Sequence, residues 1–230
     1  MISVVSGFVP IPGHPVSAAE YYERGSKLLD IKHRVMFTKE DVNGCWLYQY
    51  LLQNYPDDHA IQHAIADNPK KNTLAYHIVM AQKTEWLEAA AEMEPTADVF
   101  VWIDFGIFHV PGVTVEIIDE FLDRAESEKA IAIPGCWERD QYQYNDSWPY
   151  WRFCGGVMIV PRRYIASFNR AMKREYIRWL QETNSVSWEV NTLARLEQRD
   201  PDFPVWWYQA DHNETLFTNY RATKSDENLH

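Results

Sequence analysis

The sequence is poor in residues that build disulfide or metal frameworks. It holds three cysteines, Cys45, Cys136 and Cys154. An odd count without metal-type spacing gives neither a disulfide scaffold nor a zinc ligand set, and points to a reducing compartment. Basic residues are also scarce: 22 Lys and Arg stand against 33 Asp and Glu, a net charge of −11. Broad binding to nucleic acid or anionic membranes needs a basic footprint, so neither partner is expected. No apolar run reaches the ~18 residues of a membrane span. The start, MISVVSGFVPIPGHP, lacks the basic region of a secretory leader. The expectation is a cytoplasmic protein with no membrane span. There is no Walker loop, GxGxxG, GxSxG or HExxH. P-loop NTPase, Rossmann dehydrogenase, serine hydrolase and zincin therefore have no motif support.

The 230 residues and 46% hydrophobic content suit one well-filled core. Residues 1–220 read as a single domain and residues 221–230 as a polar tail. Aromatics reach 14%, with ten Trp. Such a surplus fills cores and also lines pockets for flat ligands. The run ISVVSGFV predicts a strand that enters a Pro/Gly loop. Ser17 with Glu20 is a capping box opening a helix. RVMFT predicts a second strand, making a βαβ unit and hence a parallel sheet. YHIVM (76–80) reads as a third strand, and 84–92 as a helix capped by Thr84. VFVWI (99–103) is the most strand-like run and ends on Asp104. A helix over 115–127, a strand over 130–134 and a long aromatic loop follow. A strand over 154–160 then opens with Gly155 and Gly156. Helices are predicted over 163–182 and 187–199, the second capped by Ser187, and a last strand over 205–208. Alternation of strands and helices makes the class α/β, with a mostly parallel central sheet flanked by helices.

Open α/β sheets place ligands at the carboxyl ends of their strands. Asp104 sits at such an end, where a carboxylate can hold a hard cation or bind sugar hydroxyls, or simply cap a turn. His212 follows the last strand and can complete a divalent-cation site with Asp104, or be a solvated surface residue. His109 competes for that role. His59 and His63, four apart, form a weak metal pattern on a helix face. Gly155 and Gly156 let backbone approach a ligand closely, or make a bulge. Glu189 opens a helix, where it can serve as general base or answer the helix dipole. Lys83 can reach a phosphate, or lie along the surface.

Together, SVVSGFVPI, the Tyr-rich helix, RVMFT, a Lys before a helix and ADVFVWIDFGIFH resemble the HtrL/YibB-type proteins. That group is similar to nucleotide-sugar glycosyltransferases of the GT-A fold. The resemblance implies a hexosyltransferase that uses a nucleoside-diphosphate sugar and a glycan or other hydroxyl acceptor. Asp104 matches the first Asp of the family's DxD motif, while Gly106 stands at the second position. The resemblance further implies nucleotide contacts from Ser6, Gly7 and Phe8, and donor and acceptor contacts from Gly155 and Gly156. It gives Glu189 as catalytic carboxylate and His212 as a partner of Asp104 on Mn²⁺ or Mg²⁺. Trp148, Tyr150 and Trp151 would suit a sugar platform. Two other readings remain open: a non-catalytic sugar- or nucleotide-binding protein with a degenerate DxD motif, and a two-carboxylate sugar hydrolase.

Overall fold

A computed structural model describes residues 1–55, 61–64, 68–140, 147–200 and 202–223. Its centre is a six-stranded sheet built from β1 (Ile2–Phe8), β2 (Arg34–Lys39), β4 (Val99–Ile103), β5 (Ile131–Gly135), β6 (Val157–Pro161) and β8 (Val205–Gln209). The order across the sheet is β2-β1-β4-β6-β5-β8. Neighbours pair in parallel except at β6, which runs antiparallel to both β4 and β5. The fold is thus α/β with a mostly parallel central sheet flanked by helices. A two-residue strand β3 (Gln62–His63) pairs separately with β7 (Ser185–Val186).

The central strands are apolar on both faces because both faces are covered. Along β4, Phe100 and Trp102 point into one layer, and Val99, Val101 and Ile103 into the other. The first layer includes α2 (Trp46–Asn54), α3 (Leu74–Ala81), α4 (Lys83–Met93), α6 (Arg162–Thr183) and α7 (Glu189–Arg199). The second includes α5 (Val115–Ala125) and α8 (Thr215–Thr218). Helix α1 (Ala18–Gly25) carries the expected capping box, with Ser17 and Glu20 bonded reciprocally. Helix α6 ends on Asn184 at φ 53°, a left-handed position that Asn tolerates better than most side chains.

Several expected elements differ. Residues 76–80 are not a strand but the interior of α3, which Thr73 caps by accepting from the Tyr76 amide. A five-residue apolar run fits either element, and here the preceding cap decides. Thr84 does not cap α4. The chain passes from α3 into α4 through Gln82, and the Thr84 hydroxyl donates instead to Asn169 of α6 at 2.8 Å. Trp188, not Ser187, is the N-cap residue of α7. The Ser187 hydroxyl accepts from Asn191 at 3.1 Å. Gly155 and Gly156 precede β6 rather than opening it. His63 lies in β3, not on a helix, and His59 lies outside the described residues. Three residues of the expected tail, 221–223, are described. The Thr223 amide and hydroxyl both donate to the Glu128 carboxylate, and residues 224–230 lie outside the described set.

Candidate active site

The antiparallel strand builds the site. Because Ile103 pairs with Val157 across β4 and β6, the next residue along β4, Asp104, comes beside Gly156. The Asp104 amide donates to the Gly156 carbonyl at 2.9 Å. Gly156 leaves room there, since a methyl group on it would come no nearer than 3.6 Å to Ile107 and 3.7 Å to Asp104. Gly155 has no such room, because a Cβ would run into the Glu189 carboxylate. Gly155 therefore lets the Glu189 carboxylate approach the backbone, beside the Gly156 carbonyl that holds Asp104.

Lys83 joins them. As the first residue of α4 it points under the sheet end and is 2% exposed. Its ammonium lies 2.9 Å from Asp104 Oδ1 and 2.7 Å from Glu189 Oε1, and donates to the Gly155 carbonyl at 2.9 Å. Burial alone would lower the lysine's pKa. The Asp104 and Glu189 carboxylates outweigh that and hold it above the ordinary value, so the group remains an ammonium. The Trp102 indole donates to the same Asp104 oxygen at 2.6 Å. Trp102 in turn stacks on Trp86, with ring centroids 5.5 Å apart and planes 12° apart. The two carboxylates are thus fixed by one buried cation and a packed indole.

These groups line a cavity of about 380 Å³ at the carboxyl end of the sheet. Gly7, Phe8, Lys83, Asp104, Gly155, Gly156, Glu189, His109 and His212 all line it. Gly7 is there because Trp86 leaves no space for a side chain. Ser6 is not a lining residue. It is fully buried, and its hydroxyl donates to the Ile103 carbonyl at 2.7 Å, tying β1 to the end of β4. Of Trp148, Tyr150 and Trp151, only Trp151 lines the cavity. Tyr150 is buried against Trp137, and Trp148 faces solvent.

The cavity also holds cations and rings outside the expected set. Ala18, Tyr21 and Arg24 of α1 line it at three-residue spacing, and Lys71 lines it beside Tyr76. Among the described residues neither Arg24 nor Lys71 is ion-paired. Burial, then the Glu189 and Asp104 charges, push the Tyr76 hydroxyl well above its ordinary pKa. Partial burial and the neighbouring His109 and Lys71 charges lower the His212 value, with Asp104 opposing them.

The donor set does not fit a protein-built metal centre. Asp104 commits one oxygen to Lys83 and Trp102. The His109 and His212 rings lie 5.5 Å apart, and His109 donates from Nδ1 to the Gly106 carbonyl at 2.6 Å. Among the described residues no three His, Cys, Asp or Glu side chains gather around a common point. An ammonium, rather than a second carboxylate, is the partner of Asp104. All three cysteines are free, as the odd count and spacing led one to expect. Cys136 and Cys154 are free but adjacent, with sulfurs 3.5 Å apart. They lie far apart in sequence, and β5 and the stretch before β6 bring them together.

No helix among the described residues is long and apolar enough to cross a membrane. No family model matches the chain, and no curated protein matches it. Among solved structures, the chain is similar to one described as the crystal structure of a glycosyltransferase involved in the glycosylation of the major capsid of PBCV-1. The two share 14% identity at a TM-score of 0.47, over 91% of this chain and 81% of that one. The chain's function has to be read from its own cavity.

Proposed function

We propose that the chain is a glycosyltransferase that moves a hexose from a nucleoside-diphosphate sugar to a hydroxyl acceptor. The observation that carries the reading is the Lys83 clamp: one buried ammonium fixes a strand-end carboxylate and a helix-start carboxylate on the floor of a single cavity. In a chain of net charge −11, the cavity cations Arg24 and Lys71, neither ion-paired among the described residues, are suited to an anionic leaving group. In this reading Glu189 removes the acceptor hydroxyl's proton. The acceptor oxygen forms a bond to the sugar's anomeric carbon as the bond to the diphosphate breaks. The diphosphate leaves with its electron pair toward Arg24 and Lys71. Asp104 binds the donor sugar's hydroxyls, and Lys83 positions both carboxylates. Phe8 and the loop after β1 are suited to hold the nucleoside. The scheme routes no step through a divalent cation.

The neutralising contact of Lys83 on Asp104 also favours a second reading, a binding protein that holds a sugar nucleotide without turning it over. Calorimetry with UDP, GDP, dTDP, ADP and CDP, with and without Mn²⁺, followed by assay of the matching sugar nucleotides, separates the cases. Binding with slow hydrolysis of one donor supports the transferase. Binding without hydrolysis leaves the binding protein. Failure of all five to bind ends both.

A further inference from the structure

Trp151 is an exposed indole on a segment that is otherwise tied down. Its own carbonyl accepts from the Cys136 and Trp137 amides at 2.9 and 3.0 Å. Before it, the Tyr150 amide donates to Asn191 Oδ1 at 2.6 Å, and Asn191 Nδ2 donates to the Trp148 carbonyl at 2.9 Å. After it, Arg152 grips Glu197 through two nitrogens at 3.1 and 2.8 Å and lies 4.4 Å over the Trp207 ring. The Trp151 side chain nevertheless stays 37% exposed at the cavity, and among the described residues its indole has no ring partner and no hydrogen bond. A rigid backbone that presents a bare flat ring is preorganised for a ligand with a flat apolar face.

The sheet order says which ligand. Asp104 at the end of β4 and the Gly155–Gly156 stretch occupy the centre. On one flank lie β1, its loop and Arg24. On the other lie β5 and the Trp151 segment. That segment hangs on Asn191 of α7, two residues beyond Glu189. The proton acceptor and the indole therefore share one helix as their frame.

We propose that Trp151 is the platform for the acceptor, and that the acceptor is a carbohydrate whose apolar ring face stacks on the indole. The assignment of this ligand as acceptor rests on the transferase reading; its chemical class rests on Trp151 alone. The test is direct binding of the labelled protein to a printed glycan array, then calorimetry with each oligosaccharide that scores. Trp151→Ala should weaken binding about tenfold, the worth of one stacked ring, while Trp151→Phe keeps most of it. Trp148→Ala, which removes an exposed ring off the cavity, should leave binding unchanged. Melting temperatures of all three variants check that they fold. If the wild type binds no glycan, or binds glycans equally after Trp151→Ala, the inference is wrong. Sugar-nucleotide turnover is measured separately on the wild type. If turnover is missing while glycan binding still depends on Trp151, the transferase reading fails and the carbohydrate site stands.

Discussion

Helix α7 buries charge at both ends, and the two ends differ. At its first turn, Glu189 meets Lys83 at a cavity. Farther along, Arg195 and Arg199 meet Glu175 of α6 at 3.3 and 3.5 Å, and Arg199 meets Glu182 at 2.9 Å. Among the described residues the second cluster sets two guanidiniums against two carboxylates, and Arg195 also lies 4.0 Å over the Trp179 ring. None of its members lines the cavity. The first cluster sets one ammonium against two carboxylates and opens onto empty space. Burial of charge does not by itself mark a functional site, since structural networks also bury it. The surplus negative charge and the opening distinguish the first cluster from the second.

Removing the shared cation should have the largest effect. Lys83→Met leaves Asp104 and Glu189 facing each other without a counter-ion. It should abolish turnover and cost about 3–5 kcal/mol of stability, as when one partner of a buried pair is deleted. Denaturant unfolding beside a donor-turnover assay measures both. Glu189→Gln should separate the two effects: turnover falls about 10²–10⁴-fold, the usual worth of a general base, while the unfolding midpoint moves little. Full activity in this variant would make the first cluster as structural as the second.

The second cluster should respond in the opposite way. Arg195→Met removes one of the guanidiniums facing buried Glu175 and should cost about 3 kcal/mol, the low end for a broken buried pair. Turnover per folded molecule should stay at the wild-type level. Loss of turnover without loss of stability would erase the contrast between the two ends. A comparable effect, confined to acid, comes from His77 of α3, which is fully buried and packs edge-on to Trp188, with ring centroids 5.2 Å apart. Burial lowers its pKa from 6.5 to about 4. Between those values the unfolded chain binds the proton and the folded chain does not, so stability falls as pH drops from 6.5 toward 4. The full loss is on the order of 3 kcal/mol. Unfolding titrations of wild type and His77→Phe at pH 7.5 and 4.5 isolate it, and equal pH slopes in the two proteins would remove His77 as the cause.

Much of the sheet was legible because buried strands write themselves as short apolar β-branched runs. VFVWI gave β4 to the residue, and the capping box gave the start of α1. Asp104, Glu189 and Lys83 were each legible as candidates, but not as a cluster. What joins them is the antiparallel pairing of β6, and no local pattern carries that register. The strand reading of residues 76–80 hid more. Once α3 is a helix, Tyr76, Val79 and Met80 fall at i, i+3 and i+4 on one cavity face, and the chain then passes through Gln82 to Lys83 at the start of α4. Arg24 was missed in the same way, although Ala18, Tyr21 and Arg24 repeat at helical spacing behind a recognised cap. The Ser6 hydroxyl looked available and is spent on the backbone. Only the packing of β1 against β4 reveals that.

The Lys83 ammonium reaches Gly155, 72 residues onward, and Glu189, 106 residues onward. Both contacts span long stretches of chain, and contacts of that range slow folding. A chain emerging during synthesis can lay down β1, β2 and β4 while Lys83 and Asp104 still lack their third partner. The carboxylate that completes the cluster arrives only when α7 is made. The cavity is thus a checkpoint on completeness: a truncated chain can own most of the sheet and still lack its chemistry.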